Sequence, residues 1–191
     1  MRWMNEPRWS LGAHGMDTQS LRVQTDDHTD FWRESHYGFV RDSGHFLHIN
    51  RMHDFTAQVR VEGQYQARYD QAGLMVRSGP ETWVKAGVEF VGEQQVSAVV
   101  TREFSDWNVR PVGLPDYIDL KLTRRGNALS VQVQLPATAG GCSGWPTIRR
   151  NCLRRWASTP AAQSGPDSRC GFHRFSSDHR TQARCTELHE N

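Results

Sequence analysis

Apolar and polar residues alternate with a period of two along much of this chain. The alternation is clearest at residues 55–61, 84–90, 118–122 and 129–135. Successive side chains of a β-strand point to opposite faces of a sheet, so each segment would present one apolar face and one polar face. No helical period extends over more than a turn or two. The pattern therefore predicts an all-β fold of short strands.

Turn-forming residues separate these segments and predict antiparallel hairpins. The triplet at 125–127 joins two alternating segments, and either Gly126 or Asn127 can supply the positive φ that a tight turn needs. The triplet at 92–94 joins strand 83–91 to the next strand in the same way. Many short antiparallel strands favour a β-sandwich, in which the inner faces of two sheets form the core.

The composition changes at Leu135 and divides the chain into two parts. Residues 1–135 contain 15 basic and 17 acidic residues, whereas residues 136–191 contain 8 arginines, 4 acidic residues and no lysine. The second part also lacks valine, tyrosine and methionine, and it holds all four cysteines. We therefore predict a β-sandwich domain at 1–135, followed by an atypical tail at 136–191 that is rich in Arg, Ser, Pro and Cys.

Two explanations of the tail remain open. The alternation stops near residues 135–139, and an out-of-frame translation of GC-rich coding sequence would give this composition. A divergent but genuine C-terminus is the other explanation. We expect residues 140–191 to be disordered and the C-terminal strands of the sandwich to be missing or aberrant, which would leave sheet backbone unpaired.

Several functional classes lack their sequence signatures. No apolar segment approaches the roughly 18 residues of a membrane span, and no signal peptide is evident, so the sequence predicts a cytoplasmic protein with reduced cysteines and no membrane partner. No nucleophile elbow, P-loop or dinucleotide-binding motif is present. The arginines at 149–150 and 154–155 imitate a nucleic-acid-binding arm only weakly, so no nucleic acid is expected.

Metal sites are also poorly supported by the sequence. His45, His48 and His53 have no partner at a recognised zinc-ligand spacing, and the cysteines of the tail form no C-x-x-C pair. The acidic cluster at 26–30 could provide calcium ligands, but it also suits a polar turn. We expect no metal and no other cofactor.

Several short motifs occur in an order that resembles a known family. They are T-D-F-W-R at 29–33, Y-G-F at 37–39, Y-D-Q-A-G-L-M at 69–75, W-V-K-A-G-V-E at 83–89, V-V-T at 99–101 and S-D-W at 105–107. Over about residues 1–134 the chain is similar to the regulation-of-enolase-protein family of unknown-function domains, within the concanavalin A-like lectin and glucanase superfamily. This resemblance implies a jelly-roll sandwich whose concave face holds ligands, and a regulatory link to carbohydrate metabolism.

The strand at 83–89 offers a candidate binding face. Trp83, Lys85, Gly87 and Glu89 occupy odd positions and point away from the apolar row at the even positions. We predict that this face is exposed and provides a sugar-stacking platform with polar anchors, with room for the ligand at Gly87. The alternative is a solvated face on which the two charges only keep the sheet soluble.

Four further residues complete the predicted ligand site. Asp70 and Gln71 begin the neighbouring strand, where they could bind sugar hydroxyls, although an Asp at this place can also cap a turn. Trp32 and Trp107 lie beside turn residues and could either contact the ligand or fill the core. The candidate ligand-binding residues are Trp83, Lys85, Glu89, Asp70, Gln71, Trp32 and Trp107, and no catalytic residue is assigned.

A hydrolase needs two carboxyl groups about 5–10 Å apart. Glu89 and Glu93 would lie about 13 Å apart along one strand, which is too far, whereas Asp70 with Glu89 stays open as a pair from two strands. The sequence therefore favours a non-catalytic domain that binds a glycan or another small metabolite. The alternative is a glycan-processing enzyme of the same fold, and a protein-interaction module is a third class.

Overall fold

The computed structural model describes residues 1–12 and 20–136, together with the backbone of residues 169–175 and 180–189. These residues form strands and turns, and none of them belongs to a helix that could cross a membrane. The fifteen strands of the described residues are β1 (Arg2–Met4), β2 (Trp9–Leu11), β3 (Leu21–Gln24), β4 (Phe31–Arg33), β5 (Val40–Asp42), β6 (His45–Asn50), β7 (Phe55–Gly63), β8 (Gln71–Gly79), β9 (Thr82–Phe90), β10 (Gln94–Arg102), β11 (Phe104–Gly113), β12 (Ile118–Arg125), β13 (Ala128–Gln134), β14 (Arg169–Phe175) and β15 (Arg180–His189).

Two antiparallel sheets build the sandwich, and a small hairpin accompanies them. The first sheet has the order β1-β6-β14-β8-β9-β10-β11, the second has the order β13-β12-β7-β15-β3-β2, and β4 pairs only with β5. Both predicted hairpins are present, β9 with β10 and β12 with β13, and Gly92 and Gly126 have positive φ in their turns. The predicted all-β jelly-roll sandwich is thereby confirmed.

The main core lies between the two sheets and is formed by the apolar rows of the alternating strands. Val84, Ala86 and Val88 of β9 belong to it, as do Leu120 and Leu122 of β12, and each is at most 2% exposed. Full burial of one such aliphatic side chain stabilises the fold by about 1.5–3 kcal/mol. The even positions of β9 therefore face the core, as the alternation predicts.

A second apolar cluster covers the outer face of the seven-stranded sheet. The hairpin of β4 and β5 lies over this face and brings Phe31 against Trp83, with ring centroids 6.2 Å apart. The odd positions of β9 do face away from the main core, but the prediction that they are exposed is wrong: Trp83, Lys85 and Glu89 are only 1%, 3% and 5% exposed. The strand pattern alone leaves this face open to solvent, but the hairpin of β4 and β5 covers it.

The C-terminal part of the chain supplies two interior strands. β14 lies between β6 and β8, and β15 lies between β7 and β3, all in antiparallel pairing. In the structure residues 169–175 and 180–189 pair with strands of both sheets, although their composition is poor in the β-branched residues that favour strands. The disorder expected of the tail stays a prediction. The rest of the predicted tail, at 137–168, 176–179 and 190–191, lies outside the described residues. The change of reading frame stays a prediction.

Candidate functional site

A pocket of about 220 Å³ opens on the outer face of the seven-stranded sheet, beside the hairpin of β4 and β5. Its apolar walls come from six residues: Trp32, Tyr37, Phe39, Tyr69, Val99 and Trp107. Its polar lining comes from Asp30, Gln71, Lys85 and Glu89. We call this cavity the aromatic pocket. It combines mostly apolar walls with a few polar groups, as small-molecule sites commonly do.

Strand register places the floor of the aromatic pocket. Lys85 of β9 is opposite Val99 of β10, which is in turn opposite Trp107 of β11, so the three residues form a row across three strands. Gln71 of β8 is opposite Glu89 of β9 and extends the same face. Directly opposed residues on adjacent strands lie on one face of a sheet, which is why residues far apart in sequence meet here.

A tight loop between β4 and β5 forms one wall. Glu34, His36 and Gly38 all have positive φ, and the Gly38 amide donates to the Glu34 carbonyl at 2.7 Å. Positive φ is uncommon outside glycine, so the two other residues are held in place by the loop hydrogen bonds. This folding of the loop brings Tyr37 to the pocket, where its hydroxyl group lies 3.0 Å from that of Tyr69.

The ammonium group of Lys85 donates to two acceptors of the hairpin. It donates to Oδ1 of Asp30 at 2.9 Å and to the carbonyl of Phe31 at 2.8 Å. These bonds tie the start of β4 to the centre of β9. A buried charge is costly without such partners, so this pair fixes the hairpin on the sheet as much as it shapes the pocket.

Glu89 is the other buried charge of the floor. Its Oε2 accepts a hydrogen bond from the indole N–H of Trp107 at 3.0 Å. Burial raises the pKa of Glu89, and the nearby Lys85 charge and hydrogen bonds from Trp107 and Ser97 oppose that rise. Among the described residues no cation forms an ion pair with Glu89.

The phenol of Tyr37 is neutral over the physiological range. Burial, the hydrogen bond with Tyr69 and the negative charge of Glu89 raise the pKa of Tyr37 to about 12. The anionic form of Tyr37 therefore plays no part in the pocket at neutral pH.

Five of the seven residues predicted from the sequence line the aromatic pocket: Gln71, Lys85, Glu89, Trp32 and Trp107. Trp83 does not, because the hairpin buries it in the second apolar cluster. Asp70 does not either, since its Oδ2 accepts the backbone N–H groups of Gln66 and Ala67 at 2.8 and 2.9 Å. It caps a turn, which is the alternative that the sequence left open.

Sequence reasoning missed half of the lining. Asp30, Tyr37 and Phe39 stand within the motifs that carry the family resemblance, yet nothing in their local pattern shows that the loop between β4 and β5 folds over the sheet. The gap predicted at Gly87 is also not available to a ligand. A Cβ there would lie 2.2 Å from the carbonyl oxygen of Ala72, so the neighbouring strand occupies the space.

The two sheets and their topology define a concanavalin A-like β-sandwich, with a pocket on the outer face of one sheet. The chain belongs to the family described as "Protein of unknown function (DUF1349)", whose model matches residues 3–168. This match extends past Leu135, where the alternation of the strands stops.

Comparisons with individual proteins agree with the family. Over 150 residues the chain is 41% identical to Regulation of enolase protein 1 of Saccharomyces cerevisiae, covering 77% of this chain and 71% of that protein. A functionally unknown protein from Saccharomyces cerevisiae, solved by crystallography, superposes with a TM-score of 0.80 and 32% identity, covering 100% of this chain and 96% of that one.

More distant structures share the fold alone. A xylan beta-1,4-xylosidase from Bacillus halodurans matches with a TM-score of 0.57 at 14% identity. The match covers 90% of this chain but only 33% of the enzyme. At this identity the likeness concerns the β-sandwich and says nothing of activity.

Proposed function

We propose that this protein is a non-catalytic binding domain that holds a glycan or another small metabolite in the aromatic pocket. The observation that carries the proposal is the pocket itself, in which aromatic walls surround a buried carboxylate and a buried amide side chain. Apolar concave sites with a few convergent polar groups are the usual form of small-molecule sites. The relative named Regulation of enolase protein 1 supports a regulatory role for such binding.

The polar groups of the pocket favour binding over catalysis. Asp30 is engaged by the Lys85 ammonium and by its neighbouring amide at Phe31, and Glu89 is engaged by the indole of Trp107. Catalytic carboxyl groups of a glycosidase must be able to reach the scissile bond or a water molecule. Here the carboxylate of Asp30 already bonds to the Lys85 ammonium beneath the hairpin, and the carboxylate of Glu89 already bonds to a wall of the pocket.

One observation favours the alternative, a glycan-processing enzyme. Glu89 has a raised pKa and shares the pocket with a second carboxylate, Asp30, whose charge contributes to that rise. Two carboxyl groups with different environments are the usual acid and base of glycoside hydrolysis. The pair that the sequence left open, Asp70 with Glu89, does not share the pocket, because Asp70 caps a turn and is not among the lining residues.

A ligand screen with the full chain tests the proposal. Thermal-shift and calorimetric titrations with a panel of sugars and small metabolites should give saturable binding, and chromatography of the same mixtures should show no product. Trp107→Ala, which removes a pocket wall, should weaken binding, whereas Trp9→Ala, at a position 45% exposed and outside the pocket, should not. Product release would favour the enzyme. A partner captured without any ligand binding would favour a protein-interaction module.

A further inference from the structure

Four aromatic rings of the pocket form a closed circuit. Trp32 contacts Tyr37, Tyr37 contacts Tyr69, Tyr69 contacts Trp107, and Trp107 contacts Trp32, with centroid separations of 5.6, 6.4, 6.4 and 6.4 Å. The planes of consecutive rings meet at 68°, 71°, 75° and 88°. Consecutive rings therefore meet edge to face around the circuit. We call the arrangement the four-ring cage.

Each polar atom of these walls already has a hydrogen-bond partner within the protein. Trp32 donates its indole N–H to the carbonyl of Ser35 at 2.9 Å, and Trp107 donates to Glu89 at 3.0 Å. The two tyrosine hydroxyl groups lie 3.0 Å apart and bond to each other. The four-ring cage therefore offers mainly ring faces, because the tyrosine pair leaves only one phenol hydrogen to donate. A sugar with many hydroxyl groups would find few partners on these walls, and no single broad platform for stacking.

The charges of the lining point to a cation. Asp30 and Glu89 contribute two carboxylates against one ammonium, that of Lys85, and the ammonium is paired with Asp30 at 2.9 Å. Within the described part of the chain, the carboxylate of Glu89 has a hydrogen bond but no ion pair. A positive ligand would balance this buried charge, which a neutral ligand cannot do.

We infer that the aromatic pocket binds a small quaternary ammonium compound, with the cation inside the four-ring cage and its charge balanced by Glu89. This inference rests on the proposed function and names the class of ligand. A quaternary ammonium has no N–H to donate and so needs no acceptor from the walls, and the negative faces of aromatic rings attract it. A cavity of about 220 Å³ suits one small group rather than a chain of sugars.

Calorimetric titration of the full chain with choline tests the inference against a matched neutral compound. The control is 3,3-dimethylbutan-1-ol, in which carbon replaces the quaternary nitrogen, so that shape is kept and charge is lost. Choline should bind at least tenfold more tightly, a difference of about 1.4 kcal/mol. Sodium chloride at equal ionic strength should produce no saturable heat. Equal affinity for the two compounds would overturn the inference.

Two variants locate the effect in the pocket. Glu89→Gln keeps the shape and an acceptor for the Trp107 indole but removes the charge, so it should lower choline affinity about tenfold and leave the neutral compound unaffected. Tyr69→Ala removes one wall and should weaken choline binding, whereas Tyr69→Phe keeps the ring and should retain more of the affinity than Tyr69→Ala does. Circular dichroism of each variant checks folding. Unchanged choline affinity in both Glu89→Gln and Tyr69→Ala would overturn the inference.

The outcomes also separate this inference from the proposed function. If a sugar binds and neither choline nor sodium chloride displaces it, the class of ligand inferred here is wrong, but the proposed binding function stands. If choline and every compound of the panel of sugars and small metabolites fail to bind the folded chain, both are wrong. If choline binds with the expected preference over its neutral analogue, both are supported.

Discussion

The indole N–H of Trp107 on β11 reaches over β10 and donates to Oε2 of Glu89 on β9 at 3.0 Å. This bond ties a wall of the aromatic pocket to the charge on its floor. It also joins residues on two different strands, and the local sequence pattern does not predict that they meet.

Trp107→Phe should therefore raise the pKa of Glu89 further, because it removes a hydrogen bond to the carboxylate while it keeps an aromatic wall. The free energy of unfolding should fall by about 1.5 kcal/mol, the lower end of the range for a bond to a charged group, since Trp107 is 36% exposed and water can replace part of the bond. Carbon-detected NMR titration of the glutamates and urea unfolding measure both effects. An unchanged Glu89 titration would contradict this account.

Stability should depend on pH through Glu89. Its pKa is raised in the folded state, so the folded protein binds this proton more tightly than the unfolded chain does. Ionisation therefore costs stability, and the cost develops as pH rises from about 4.3, the ordinary glutamate value, through the raised pKa. Relative to the natural protein, Glu89→Gln should gain free energy of unfolding over that window. Urea unfolding at a series of pH values measures the difference in free energy of unfolding between the variant and the natural protein. This difference should be constant at pH values above the window. A difference that is flat or falls with rising pH would count against the assignment.

The strands and hairpins of the sandwich could be predicted because local features specify them. Alternation identified the core positions of β9, and Gly92 and Gly126 marked turns where φ is positive. The cover on the outer face could not be predicted in this way. It depends on contacts such as that between Asp30 and Lys85, which are 55 residues apart. A strand pattern distinguishes the two faces of a sheet, but it does not show whether a distant hairpin covers the second one.

The ion pair between Asp42 and Arg77 should hold this hairpin in place. Arg77 donates two hydrogen bonds to the carboxylate of Asp42, at 2.6 and 2.8 Å, and its side chain is only 5% exposed. Asp42→Asn would leave a buried guanidinium without its counter-charge and should lower the free energy of unfolding by about 1–3 kcal/mol. It should also weaken ligand binding, because the hairpin carries Trp32.

A matched control is available at the exposed pair of Arg8 and Asp26, whose side chains are 81% and 27% exposed. Asp26→Asn should change the free energy of unfolding by less than about 1 kcal/mol, as is typical of surface pairs. Chemical denaturation of both variants makes the comparison. Equal effects of the two substitutions would show that Asp42 does not anchor the hairpin.

Gly87 should tolerate no side chain. A Cβ at this position would lie 2.2 Å from the carbonyl oxygen of Ala72 and 2.9 Å from the Cα of Gly73, both in backbone that cannot move easily. Gly87→Ala should therefore destabilise the protein by about 1–3 kcal/mol, the usual cost of overpacking. Gly79→Ala is the control, since no atom lies within 4 Å of a Cβ there. Equal thermal stability of the two variants would show that the neighbouring strand does not lie as close to Gly87 as the structure places it.

Amide hydrogens of β14 and β15 should exchange slowly. Each strand has a partner on both sides, β6 and β8 for the first and β7 and β3 for the second, so their backbone hydrogen bonds open only when a sheet opens. Hydrogen exchange with mass spectrometry should show protection at residues 169–175 and 180–189 that is comparable with protection in β8. The exposed edge strand β2 is the internal control and should exchange faster. Fast exchange throughout both ranges would instead agree with the disorder predicted from composition, and sequencing of the gene would then test the change of reading frame near residues 135–139.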